Sequence, residues 1–283
     1  MCKGTRKKYG RLPPKTAEAS EPWARVNVDM MGPLTVKTPT KTHELLVLTM
    51  IDPATGWFEV AQMKNATSET AMKIMDDVWF SRYPRPSEIG FDNGSEYKNV
   101  FKDMVDNYGL KRKSSLSWNP QSNGIVERVH QVLSDGLRTF ELEKQELDDV
   151  DPWSPFLAAC AYAIRSTYHT TLQASPAQLV FGRDMLLPIS FNANWARIRA
   201  NRQRMINQSN LRENKRRLVH EYKVGDKVLL DKPGLLRKLS TPRTGPYPVT
   251  AVHTNGTIHI QRGAVKERVN IRRISPFVEN ESR

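Results

Sequence analysis

The run Leu45-Leu46-Val47-Leu48-Thr49-Met50-Ile51 constrains this chain more than any other stretch, because it is apolar almost without a break. A strand with one wet face alternates, whereas a continuous run suits a strand covered on both faces. Its neighbours fit a sheet built around it. Arg25 to Met31 alternates, Pro53 to Gly56 is turn chemistry, and Trp57 to Met63 reads as a third strand. Ala71, Ile74, Met75, Val78 and Trp79 recur at helical spacing and predict an amphipathic helix over Ser68 to Arg82. Ser87 to Phe91 reads as a strand, Val100 to Tyr108 as a helix, and Leu110 to Leu116 as a basic strand. A helix capped by Ser122 or Asn123 runs to about Lys144 on Val126, Val129, Val132, Leu133, Leu137 and Phe140. Trp153 to Tyr168 and a short segment from Ser175 to Gly182 complete the helices. Three strands in a meander, then alternating helices and strands, predict a mixed α/β domain.

The 283 residues leave room for a second domain, and the charge marks it off. Net charge is +13; Arg197 to Arg283 holds 20 basic and seven acidic residues, while Val26 to Ala196 holds 16 basic and 21 acidic. A mildly acidic middle between basic flanks suits a polyanion, with nucleic acid favoured over ordinary solvated charge. The two cysteines, Cys2 and Cys160, make no disulfide framework and fit a reducing compartment. Cys160 lies in the apolar helical run Phe156 to Tyr162 and reads as core packing. The N-terminus has no apolar signal region, and no apolar stretch is long enough to span a bilayer. A soluble intracellular protein without a membrane partner is expected.

Three acids are placed for chemistry. Asp29 interrupts the otherwise apolar strand Val26 to Met31. Asp92 follows the strand ending at Phe91 and precedes the turn pair Asn93-Gly94. Glu127 falls in the first turn or so of the helix after Asn119-Pro120-Gln121-Ser122-Asn123-Gly124. Each has an ordinary explanation too: an exposed strand-end acid, an Asx-turn former, and an acid favoured by the helix dipole. Together, carboxylates from strand ends and a helix start can converge on a hard cation, which takes oxygen ligands. Asp52, beside Pro53 in a turn, and Glu96 are left outside this set.

The contexts of these acids resemble the catalytic core of the retroviral and retrotransposon integrases, which carry an Asp, Asp, Glu triad. Thirty-four residues separate Asp92 from Glu127, one fewer than the family's usual gap. The intact Asn119–Gly124 run puts the deletion earlier, between Tyr108 and Pro120. The resemblance implies an RNase H-like mixed sheet with flanking helices, whose first and fourth strands adjoin and bring Asp29 beside Asp92. It implies Asp29, Asp92 and Glu127 as catalytic residues and as ligands of two Mg²⁺ (or Mn²⁺) ions that neutralise the attacking and leaving oxygens of a phosphodiester. Asp92 would bridge the two ions, and no histidine base is needed. Asn119, Gln121 and Asn123 are candidate DNA contacts, and His130 is a helix-face residue within reach of phosphate. Lys111, Arg112 and Lys113 are equally candidates for backbone contacts or a basic edge that deters aggregation.

The flanks extend the resemblance. Cys2-Lys3-Gly4 through Leu12-Pro13 looks like the last ligand and tail of the family's N-terminal zinc module. Lone Cys2 cannot hold a zinc ion, so no zinc is expected, and Met1 is an internal methionine of a longer ancestral frame on this reading. Residues 1–22 read as a basic linker rather than a packed element, and 23–189 as the core. Residues 190–223 read as a charged helical connector with a narrow apolar edge of Ile198, Met205, Leu211, Leu218 and Tyr222. It is either a solvated spacer or a helix along DNA phosphates, with Lys215, Arg216 and Arg217 the candidate contacts. Residues 224–277 carry Val224-Gly225-Asp226-Lys227-Val228-Leu229, Gly245-Pro246-Tyr247 and Val269 to Phe277. That pattern resembles the C-terminal SH3-like β-barrel of gypsy-type LTR retrotransposon integrases, which implies DNA binding; Arg272 and Arg273 are its candidate contacts. Asn255-Gly256 is a hairpin signal, and 278–283 is a tail.

The function so implied is DNA integration: trimming and joining of retroelement ends to target DNA by a homo-oligomer on DNA, in the nucleus. A catalytically idle DNA-binding remnant is the alternative, and a nuclease of the same fold class ranks third.

Overall fold

The computed structural model describes residues 8–13, 20–37, 41–91, 100–114, 129–139, 151–232 and 241–277. Its strands are β1 (Lys8–Tyr9), β2 (Arg25–Lys37), β3 (Thr42–Ile51), β4 (Phe58–Gln62), β5 (Glu88–Phe91), β6 (Lys111–Ser114), β7 (Arg217–Leu218), β8 (Lys227–Asp231), β9 (Arg243–Val252), β10 (Thr257–Arg262), β11 (Val265–Asn270) and β12 (Ile274–Pro276). Its helices are α1 (Ser68–Ile74), α2 (Val100–Asn107), α3 (residues 129–139), α4 (Ser154–Ser166), α5 (Pro176–Phe181) and α6 (Trp195–Asn214). They fall into two compact units, one holding the described residues from 20 to 202 and the other 8–13 with those from 203 to 277.

The larger unit is built on a mixed five-stranded sheet in the order β4-β3-β2-β5-β6. The β2-β3-β4 meander is antiparallel, and β5 and β6 run parallel to β2. The implied neighbourhood of the first and fourth core strands is present, with Asn27 opposite Gly90. Leu45–Ile51 is covered on both sides, as its unbroken hydrophobicity predicts. Val26, Val28, Leu48, Met50, Ile89 and Phe91 face one way and pack with α1, α2 and Trp79. Met31, Val47, Ile51 and Phe58 face the other way and pack with Val129, Leu133 and Leu137 of α3 and with Trp153, Leu157 and Ala161 at α4. Period-2 alternation thus sorts two cores onto two faces. A bulge between Met31 and Leu34 needs Gly32: its φ is +119°, and a Cβ there would stand 2.4 Å from the Leu45 carbonyl oxygen.

The helix expected over Ser68 to Arg82 changes pitch, passing from α1 into a π-helical turn at Met75–Phe80, where Ser81 N–H donates to Asp76 O at 3.0 Å. Ser175 and Gln178 form a capping box at the start of α5, and Gly182 ends it in the left-handed conformation, as their residue types require. Among the described residues no helix is long and apolar enough to cross a membrane.

The smaller unit is an antiparallel five-stranded sheet in the order β11-β10-β9-β8-β12, around Val228, Leu230, Val249, Ile258, Ile260, Val269 and Ile274. Asn255 and Gly256 sit in the turn between β9 and β10, the expected hairpin. Two expectations are corrected here. Residues 8–13 are packed rather than linking: β1 pairs in parallel with β7, and Leu12 enters the core. Leu12 N–H donates to Asn214 Oδ1 at 2.7 Å, and Asn214 Nδ2 returns a bond to Leu12 O at 3.0 Å. The inner edge of α6 is also less apolar than its spacing predicts, since Met205 is 40% and Leu211 62% exposed. Buried asparagines serve instead: Asn201 donates to Thr171 O at 2.7 Å, and Asn210 to Pro13 O at 3.4 Å. A side-chain amide reaches backbone carbonyls that an apolar stripe would leave unsatisfied.

Candidate active site

Asp29 lies in the middle of β2, half-buried, directly opposite Thr49 on β3. Opposed residues in an antiparallel pair project to the same face, so the Asp29 side chain belongs to the face that α3 covers. Asp29 Oδ1 accepts the Met30 N–H at 2.9 Å. Thr49, only 2% exposed, donates its hydroxyl to the Asp29 carbonyl oxygen at 2.9 Å. His130 Nε2 lies 2.9 Å from the same hydroxyl oxygen. Threonine has one hydroxyl proton, given to Asp29, so Nε2 is the donor of this second bond. Burial lowers the His130 pKa from its ordinary value, which favours the neutral ring protonated at Nε2. A histidine read from sequence as a helix-face residue within reach of phosphate therefore bonds to Thr49 of the sheet. Thr49 was passed over, because one hydroxyl in an apolar run reads as filler.

Asp92, Glu127, Asn119, Gln121, Asn123 and Cys2 lie outside the described residues. Among the described residues there is no group of three or more acid, histidine or cysteine side chains placed to hold a metal ion. Asp29 supplies a hard oxygen donor, the type Mg²⁺ and Mn²⁺ prefer. Asp52 has a different role. It is fully buried and accepts bonds from the N–H groups of Trp23, Ala54 and Thr55 and from the Thr55 hydroxyl, at 2.8–3.2 Å. Burial pushes its pKa up, and those donors pull against it. It organises the turn after β3. Cys160 is packed beside the α3–α4 cluster, and burial raises its thiol pKa.

The candidate nucleic-acid contacts divide by burial. Lys111 and Arg112 are exposed on β6, Arg112 pairing with Asp106 at 3.2 Å, and Lys113 stands opposite Gly90 in the sheet. Lys215 and Arg216 are exposed after α6. Arg217 and Arg272 correct the expectation for the smaller unit, because their side chains are only 1% and 5% exposed. Glu213 receives both, Arg217 Nη1 at 3.1 Å and Arg272 Nη2 at 2.9 Å. Arg217 also donates to the carbonyls of Tyr9, Gly10 and Ile271. Burial lowers its pKa while Glu213 opposes that. These two arginines tie β1, α6 and the end of β11 together and are not available to phosphate. Arg273 is half-buried, with Nη2 3.5 Å from Asp231 O. Sequence groups Arg217 with Lys215 and Arg216; its burial against Glu213 and its pairing with Lys8 in the β1–β7 ladder set it apart.

Comparison with known proteins was made at three levels. No protein-family model matches the chain. The retrovirus-related Pol polyprotein from transposon 412 of Drosophila melanogaster is 26% identical over 269 residues, covering 87% of this chain and 21% of that polyprotein. The Gag-Pol polyprotein of feline leukemia virus is 30% identical over 122 residues, covering 43% of this chain and 7% of that one. The chain thus spans about a fifth or less of these curated relatives. Among solved structures, the simian T-cell lymphotropic virus intasome in complex with the PP2A regulatory subunit B56 gamma matches 98% of this chain and 85% of its own at TM-score 0.61 and 17% identity, a likeness of fold.

Proposed function

We propose that this chain, similar to retrovirus-related Pol polyproteins and sharing the fold seen in a retroviral intasome, is the integrase segment of an LTR retrotransposon, catalysing metal-dependent cleavage and strand transfer of element DNA ends. The observation that carries this reading is the sidedness of Asp29: an acid in a strand of the central sheet faces α3, which follows Glu127 in the sequence. β5 supports the second ligand. Ile89 and Phe91 pack on the opposite face, which is the register this reading would need for the next residue, Asp92. Asp29, Asp92 and Glu127 would hold Mg²⁺ or Mn²⁺, which when bound neutralises charge on the reacting phosphodiester oxygens. Asn119, Gln121, Asn123, Lys111, Arg112, Lys113, Lys215 and Arg216 are the proposed DNA contacts. The catalytic domain is assigned to 23–189 and a DNA-binding module to 224–277, acting as an oligomer on DNA in the nucleus.

Asp29→Asn and Asp92→Asn are expected to lower joining of a 3′-hydroxyl DNA end to a plasmid by about a hundredfold or more, while DNA retardation in a gel is kept. Joining unchanged in either variant overturns the triad. Wild-type protein that retards DNA but neither cleaves nor joins it with Mg²⁺ or Mn²⁺ selects the idle DNA-binding reading.

A further inference from the structure

We propose that Thr49 and His130 are a positioning pair, fixing the register of α3 against the strand that carries Asp29. The proposal rests on the metal-site reading above and adds two residues to it. α3 meets the sheet through Val129, Leu133 and Leu137, a stripe at four-residue spacing packed with Met31, Val47 and Ile51. Packing of this kind is non-directional and tolerates small slides and rotations of the helix. A metal site does not, because its ligands must be held to within about half an ångström. A directional link between α3 and the strands beneath Asp29 is the bond from His130 to Thr49, and Thr49 passes it on to the Asp29 backbone carbonyl at 2.9 Å.

The choice of side chain supports a task beyond filling space. Valine has nearly the shape of threonine and would suit a site 2% exposed between Val47 and Ile51. The hydroxyl is there to bond, once as donor and once as acceptor. His130 is three residues beyond Glu127 in sequence, and a helix that extended back that far would put the two on one face. Anchoring His130 would therefore set the helical phase at which Glu127 is presented, while the other end of the relay holds the Asp29 backbone.

The test is Mn²⁺ binding by the full chain without DNA, read from the free-ion electron paramagnetic resonance signal, with joining activity and thermal melting measured alongside. Thr49→Val and His130→Ala are each expected to weaken Mn²⁺ binding about tenfold, as loss of an outer partner of a metal ligand does. The double variant is expected to lose no more than the worse single, because the two residues act as one link. Thr49→Ser keeps the hydroxyl and should bind as wild type, and His130→Asn, which keeps an N–H donor, should recover part of the loss. A packing role gives the opposite order, with Thr49→Val harmless and Thr49→Ser damaging, and that order overturns the proposal. Wild-type protein that binds no Mn²⁺ overturns the metal reading and this pair with it. Wild-type binding that neither Thr49→Val nor His130→Ala weakens overturns the pair alone.

Discussion

The two faces of the central strands in the larger unit are made from alternate residues of the same segments, yet they differ in kind. Val28, Leu48, Met50, Ile89 and Phe91 make one face of β2, β3 and β5 apolar and close it with Trp79. The other face begins the same way, with Met31, Val47 and Ile51, but sets Asp29 and Thr49 among them and answers with His130 from α3. An apolar face needs volume and shape, which many side chains supply. A polar insertion in a buried face needs every donor and acceptor matched. The difference teaches that one side of these strands is held by shape alone, while the other gives part of its packing to matched polar groups.

The sharpest way to break that contrast is at the apolar face. Trp79→Ala is expected to destabilise the larger unit by about 3–5 kcal/mol in urea unfolding, the cost of emptying a large buried site, while Mn²⁺ binding per folded molecule stays unchanged. Loss of binding in the folded fraction would mean the faces are not separable. Thr49→Val comes next and is expected to cost about 1–2 kcal/mol, because a half-buried carbonyl and a half-buried imidazole N–H each lose this bond while the volume stays filled. A cost as large as that of Trp79→Ala would make Thr49 a packing residue after all.

The smallest effect is in pH. His130 has a folded pKa below its ordinary 6.5 because of burial, so the unfolded chain binds the proton more readily. Stability is then present above about 6.5 and is lost as pH falls below it. His130→Asn should flatten that part of the melting-temperature profile for the larger unit. His253 in the smaller unit is shifted the same way, by burial first and then by Arg268 and His259, and its contribution should persist in the variant. An unchanged acid slope for the larger unit would show that His130 is not the group responsible.

Much of this architecture was legible in residue order. The Leu45–Ile51 run called for cover on both faces, Asn255-Gly256 for a hairpin, and Ser175 with Gly182 for the ends of a short helix, because each is a local rule satisfied locally. The oddness of Asp29 in an apolar strand was legible for the same reason. What escaped is what depends on distant partners. Thr49 gains its meaning only from residues 20 positions before it and 81 after it. The asparagine edge of α6 escaped because hydrophobic periodicity does not weigh an amide that bonds a remote carbonyl. Arg217 and Arg272 escaped because a charge looks exposed until its carboxylate partner is found.

The packing of residues 8–13 in the smaller unit bears on the order in which this protein is made. Leu12 and Asn214, which bond twice, are 202 positions apart. Residues 8–13 must therefore wait for the residues between them and β7 to be made before β7 and Arg217 exist to receive them. Such distant pairing forms slowly, since the entropy of closing the loop comes before any contact rewards it. The larger unit, whose residues lie between the two halves of this pairing, can fold meanwhile. The smaller unit therefore completes itself later than the larger one, and a fragment beginning at residue 203 would lack the strand and the core leucine that complete it.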